Sequence, residues 1–338
     1  MSKEIKISVI HARSYDPPLA NDYESALAYV NINIEKTLTY ITEAGKASMD
    51  LVCTHEDFTN VCAYCRDYTN PELFNSLAKA IKEPLQKRLS NLSKQYSMLI
   101  AANHMEWDDG HVYNTSTLYG RDGTPLGKYR KVHLADSENW KVTPGDEFNI
   151  IESDIGKIGF CICYDMIFPE TCRILTLNGA DIIIHQTQGW GTGSKASPVV
   201  GEGYMRVRAA ENSVYLIVAK NIQSDGSDGG RSVIINPYGD ILAESDVTIE
   251  GLLNYTLTPE FDMISPYNFN NFYSGVPSSK ARQLLARKPR LYDAITNPEP
   301  AVKFEYKNYK LSYTFEEGRD KMNEWDDLPD DEKGKFFW

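Results

Sequence analysis

Basic residues are in the minority in this chain. Thirty-five lysines and arginines stand against 47 aspartates and glutamates over 338 residues, a formal charge of −12. Nucleic-acid binding normally needs a basic face, and adhesion to anionic lipid needs a polybasic patch, so neither partner is expected. Long apolar runs are also lacking: nothing approaches the roughly 18 residues of a membrane span. The opening MSKEIKISVI has neither the charged region nor the apolar core of a secretory leader. The cysteines number only six. Without an export signal they read as reduced thiols of a cytoplasmic protein, not as a disulfide framework. No GxxxxGK[ST] phosphate loop occurs, no internal repeat and no low-complexity tract, and no cofactor is expected.

What remains is an ordinary globular composition, 42% hydrophobic and 24% charged, enough to bury a sizeable core. Short apolar runs predict strands at 5–10, 49–53, 97–102, 115–119, 157–163, 182–184, 214–219, 232–236, 241–243 and 251–255. Helical spacing predicts helices at 23–44, 71–96, 169–177 and 199–212. Helical crossovers mixed with tight turns at 120–123 and 237–240 indicate an α/β protein with both parallel and hairpin connections. No shift in composition marks a linker before about residue 258. The expectation is one large domain, 1–258, and a C-terminal extension, 259–338. Between Glu316 and Lys333 nine acidic residues face three basic ones. That stretch reads either as a solvated tail or, from its aromatics Tyr306, Tyr309, Tyr313, Phe315, Trp325, Phe336, Phe337 and Trp338, as a segment packing on the domain or on a partner subunit.

The strongest local feature is the stretch from Gly159 to Glu170, GFCICYDMIFPE. An apolar strand runs into Cys163, then Pro169 and Glu170 open a helix. A cysteine at such a junction sits at the rim of an α/β sheet, where ligands bind and backbone N–H groups can hold a thiolate or an oxyanion. Cys161, two residues back on the same strand face, reads as small core filling. A nucleophilic cysteine needs a base, and none of the six histidines lies in a recognisable cysteine-protease signature. The alternative is a carboxylate with a lysine: Glu56 follows the strand DLVCTH, and Lys131 lies in GKYRKVHL. Taken singly each would be a surface charge. Cys62 and Cys65 form a CxxC downstream of Cys53 and His55. The ligand types suit zinc, but the spacing fits no standard finger and no second CxxC follows, so incidental thiols are the favoured reading and no metal is expected.

Taken together, a carboxylate after an early strand, YRKVHL after a hairpin and CYDMIFPE after a later strand resemble the nitrilase superfamily of carbon–nitrogen hydrolases. Tyr113-Asn-Thr, Pro144-Gly145, Asn178-Gly-Ala-Asp181, Arg208-Ala-Ala-Glu-Asn212 and the Gly230–Gly239 stretch resemble further landmarks of that family, over about residues 5–258. The resemblance implies a four-layer α-β-β-α sandwich with two mixed sheets. It implies a catalytic set in which Glu56 is the base, Lys131 the oxyanion partner, Cys163 the nucleophile and Glu138 a second glutamate supporting the lysine. It further implies that Tyr164, through its backbone N–H, and the loop residues Gln188 and Trp190 border the substrate. Tyr164-Asp165 follow the cysteine, as in the amidase and carbamoylase branches, where nitrilases proper carry tryptophan and glutamate. The implied activity is hydrolysis of a small linear amide or N-carbamoyl compound through a cysteine thioester. A nitrilase, or a non-catalytic interaction protein retaining the fold, is the alternative. A homodimer or higher homo-oligomer is implied by the same resemblance.

Overall fold

The structure is a computed structural model that describes residues 4–15, 22–66, 71–135, 138–139, 141–188, 198–222, 230–260, 280, 284 and 286–296. Two compact units emerge, Met1–Pro259 and Glu260–Trp338. In the second, a 3₁₀ turn at Pro289–Leu291 and a short helix at Asp293–Thr296 are described. The aromatic and acidic stretch from Tyr306 onward lies outside the described residues, as does Trp190.

The first unit opens with β1 (Ile5–His11), α1 (Tyr23–Lys46), β2 (Leu51–Cys53), α2 (Pro71–Tyr96), β3 (Leu99–Asp108), β4 (His111–Tyr119) and β5 (Pro125–Arg130). It continues with β6 (Ile150–Ser153), β7 (Gly156–Ile162), α3 (Pro169–Leu177), β8 (Ile182–Thr187), α4 (Pro198–Asn212), β9 (Tyr215–Lys220), β10 (Val233–Ile235), β11 (Ile241–Glu244) and β12 (Gly251–Leu257). The strands form two six-stranded sheets, ordered β12-β1-β2-β3-β4-β5 and β11-β10-β9-β8-β7-β6. In each, three parallel strands sit at the centre and antiparallel strands flank them. The parallel triplets need crossovers, and α1, α2, α3 and α4 supply them.

Side-chain alternation sorts the core into layers. Ile7 and Val9 of β1, Ile158 and Phe160 of β7, and Ile182 and Ile184 of β8 meet in one apolar cluster between the sheets. Ile10, Val52 and Ile100 face the other way, onto Val30, Ile34, Leu77 and Ile81 of α1 and α2. Ile183 and Cys161 face Leu175, Met205 and Ala209 of α3 and α4. Three apolar layers between four structural layers make the α-β-β-α sandwich. Among the described residues no helix is long and apolar enough to cross a membrane.

The strands differ from the sequence expectation on the β3–β5 side of the first sheet and at the β6 edge of the second. β3 and β4 run on to Asp108 and from His111, joined through Asp109 and Gly110 at φ 45° and 87°. Two consecutive positive-φ residues are what a tight hairpin between right-twisted strands requires. Two unanticipated strands, β5 and β6, complete the sheet edges. In β5, exposed Pro125 and Leu126 hide the alternation.

Candidate active site

β7 ends at Ile162, and Cys163 opens a 3₁₀ turn to Ile167 with φ 44°, in the left-handed region. A non-glycine residue there is strained by roughly 1–3 kcal/mol. Strand parity would place Cys163 on the same face as Cys161, against α3. The left-handed backbone instead turns it to the inter-sheet side, where it packs against the apolar cluster between the sheets, while Cys161 stays in the helix-facing core beside Cys172. Pro169 at the first position of α3 ends the turn. Burial pushes the Cys163 thiol up to about 12, helped by the Glu56 and Glu138 charges and opposed by Lys131 and a hydrogen bond with Thr187.

Glu56 lies just past β2, and the backbone bends sharply after it, with Asp57 at φ 33°. Asn103 fixes that bend: its Oδ1 accepts from Asp57 N at 2.6 Å, and its backbone oxygen accepts from Phe58 N at 3.3 Å. Lys131 follows β5. Its backbone is held by Lys131 N donating to Asn114 O at 2.9 Å and Gly145 N donating to Lys131 O at 2.8 Å. A Cβ on Gly145 would lie 2.3 Å from Arg130 O, so only glycine allows this approach. Glu138 folds back on the same segment, its Oε2 accepting from Ala135 N at 2.8 Å.

These segments bring three charged side chains into a dry cluster: Lys131 is 1%, Glu56 6% and Glu138 7% exposed. Lys131 Nζ donates to Glu56 Oε1 at 2.9 Å and to Glu138 Oε2 at 2.6 Å. Asn114 Nδ2 donates to both carboxylates at 2.9 Å. Gln188 N donates to Glu56 Oε2 at 2.8 Å. Burial works against every charge here, and the outcome is set by pairing. For Lys131 burial is outweighed by Glu138 and Glu56, which hold the ammonium well above its usual range. For Glu56 burial is outweighed by Lys131 and the Gln188 and Asn114 hydrogen bonds, which hold the carboxyl below its usual range.

The structure therefore gathers Glu56, Lys131 and Glu138, and places Cys163 within electrostatic reach of all three. Tyr164 is 37% exposed, its ring edge-on to Phe168 at 5.3 Å. Gln188, expected at the substrate, also ties the Glu56 segment together. Its Nε2 donates to Asp57 O at 3.3 Å, and its Oε1 accepts from Cys62 Sγ at 3.2 Å. Cys62 and Cys65 lie in a 3₁₀ turn, neither of them in a disulfide, and His55 Nδ1 bonds Glu56 O at 2.8 Å. Among the described residues no group of His, Cys, Asp or Glu side chains is arranged to hold a metal ion.

Asn114 lies within the Tyr113-Asn-Thr landmark, but neither its hold on the two carboxylates nor the supports beneath it are foreshadowed by the sequence. Gln186 of β8 reaches across the sandwich: Ser116 Oγ of β4 donates to its Oε1 at 2.5 Å, and its Nε2 donates to Thr54 O at 2.8 Å. Asn103 Nδ2 donates to Ser116 Oγ at 3.0 Å. The available signal was an amide in the middle of otherwise buried strands, since a buried polar side chain must have partners.

The carbon–nitrogen hydrolase family profile matches residues 27–263. A Schizosaccharomyces pombe protein named as a probable nitrilase is 30% identical over 277 residues, 80% of this chain and 94% of its own. The human omega-amidase NIT2 is 30% identical over 226 residues, 63% of this chain and 78% of its own. The crystal structure of Saccharomyces cerevisiae Nit3, from branch 10 of the nitrilase superfamily, superposes with a TM-score of 0.61 at 26% identity, covering 76% of this chain and 90% of that one.

Proposed function

Since the chain belongs to the carbon–nitrogen hydrolase family, in the amidase-like part of the nitrilase superfamily, we propose that it hydrolyses the C–N bond of a small linear carboxamide through a thioester on Cys163. The observation carrying this reading is the dry Glu56–Lys131–Glu138 cluster facing a thiol in a left-handed turn. The omega-amidase relatives favour a terminal amide as the scissile group.

The charges assign the steps. A thiol pushed up to about 12 is neutral at rest, so the proton must leave as the sulfur attacks. Glu56 is ionised and takes that proton. The C–S bond forms, and the carbonyl oxygen becomes an oxyanion held by the Lys131 ammonium and the backbone N–H of Tyr164. One such donor supplies on the order of 100-fold in rate. As Lys131 turns to the oxyanion, its pull on Glu56 weakens and the carboxylate becomes the stronger base it needs to be. Glu56 then passes the proton to the leaving nitrogen, the C–N bond breaks and ammonia departs. Water, deprotonated by Glu56, cleaves the thioester to the carboxylic acid and restores the thiol. Glu138 and Asn114 hold Lys131 and Glu56 in place throughout.

The test is ammonia release from a panel of linear amides, N-carbamoyl compounds and nitriles, with mass spectrometry of intact protein trapped during turnover. Amide turnover with added acyl mass on the peptide containing Cys163 is expected. Full activity in Cys163→Ala, or turnover confined to nitriles, refutes the reading.

A further inference from the structure

Lys131 and Cys163 are delivered by different sheets, Lys131 after β5 of the first and Cys163 after β7 of the second. Their spacing must be set by something that touches both chain segments. The Asp165 side chain does. Asp165, two residues past Cys163, is 0% exposed. Its Oδ2 accepts from Ile162 N at 3.0 Å and from Tyr129 Oη at 2.7 Å. Its Oδ1 accepts from His133 N at 2.9 Å and from His133 Nδ1 at 2.8 Å. Tyr129 and His133 flank Lys131 by two residues on either side, and Ile162 immediately precedes Cys163. The His133 ring also stacks on Phe168, 3.9 Å between centroids, just beyond the 3₁₀ turn.

We propose that Asp165 is the positioning residue that sets the register of Lys131 against Cys163 across the sandwich. The argument is one of geometry and cost. A buried carboxylate with four donors is satisfied only if both segments stay where they are. Moving either one strands a buried acceptor and at least one donor, each expensive to leave unpaired. The strained turn at Cys163 is thereby locked from its own strand and from the neighbouring sheet together.

For turnover this inference rests on the amide-hydrolase reading, but thiol reactivity tests it independently. The two possible effects of removing the Asp165 charge have opposite signs. Losing a nearby anion by itself makes Cys163 easier to ionise and faster to alkylate. Losing the register moves the Lys131 charge away and makes alkylation slower.

The experiment compares wild type with Asp165→Asn and Tyr129→Phe, measuring the rate of Cys163 alkylation by iodoacetamide at fixed pH, and kcat and KM separately on a turned-over amide. Asp165→Asn is expected to slow alkylation about tenfold and to lower kcat by about 10- to 100-fold at nearly unchanged KM, the signature of lost alignment. Tyr129→Phe should move both in the same direction by less. Alkylation that is unchanged or faster in folded Asp165→Asn overturns the proposal. If Asp165→Asn does not fold, Tyr129→Phe decides, and an unchanged rate there overturns it. If wild type turns over no amide, the hydrolase reading fails while the alkylation rates still judge the role of Asp165.

Discussion

Replacing Lys131 by methionine isolates what one buried ammonium does for the two carboxylates around it. Methionine is close in length and apolar, so the cavity stays filled. Glu56 and Glu138 would remain buried, sharing the Asn114 amide with no cation between them. Removing one partner of a buried ion pair costs about 3–5 kcal/mol. The pH dependence identifies the cause. In wild type the Glu56 carboxyl is held below its usual range. Its contribution to stability is complete above the unfolded value near 4.3 and is lost as pH falls through the lowered folded value. In Lys131→Met, burial and the like-charged neighbour act unopposed, so the cluster titrates above the usual range and the folded protein binds a proton that the unfolded chain does not. The variant's deficit is therefore greatest near neutrality and shrinks on acidification. One extra proton corresponds to roughly 1.4 kcal/mol per pH unit, about 3 kcal/mol over two units. Urea denaturation of both proteins between about pH 5 and pH 8 measures it. A deficit that is independent of pH, or that grows toward pH 5, refutes the account of the cluster.

Glu56→Gln should fold but lose turnover by about 100-fold or more, as expected when a general base is removed; near-normal kcat would remove Glu56 from that role. Cys161→Ala should keep its activity while Cys163→Ala loses it, because their thiols face different layers; equal loss in both would contradict the flipped turn. Alkylation of Cys163 should rise steadily with pH through about pH 9, its thiol being pushed up to about 12; a plateau near neutrality would show a preformed thiolate. Ser116→Ala leaves Gln186 Oε1 and Asn103 Nδ2 without a buried partner. It should lower stability by about 1–3 kcal/mol in urea, and a change below about 0.5 kcal/mol would make that bridge incidental.

The central strands and the long helices are legible in the sequence through their periodicity. The central strands are continuous apolar runs bounded by turns, and α1 and α2 repeat their buried residues at helical spacing. The edge strands β5 and β6 were hidden because only one face of each is buried and because Pro125, Leu126 and Gly127 obscure the alternation. The Asp109-Gly110 dipeptide carries a hairpin signal, and β3 and β4 turn on it. In the site, residue types at motif positions point to Glu56, Lys131, Glu138 and Cys163; the structure hydrogen-bonds the first three together and leaves Cys163 within their electrostatic reach. Asn114, Gln186 and Asp165 were not legible as supports, because their partners lie in other strands and only the register brings them together. The face on which Cys163 lies was likewise invisible, since strand parity stops at a left-handed residue.

The left-handed backbone at Cys163 has a consequence for how this position tolerates change. Glycine usually weakens a fold relative to alanine, because it frees the unfolded chain. At φ 44° the order should reverse, and Cys163→Gly should melt at or above Cys163→Ala. The turn is contoured for a residue without a side chain yet carries a sulfur. Drift at this codon would thus run toward a sturdier, silent protein, and thermal robustness and reactivity pull this one residue in opposite directions.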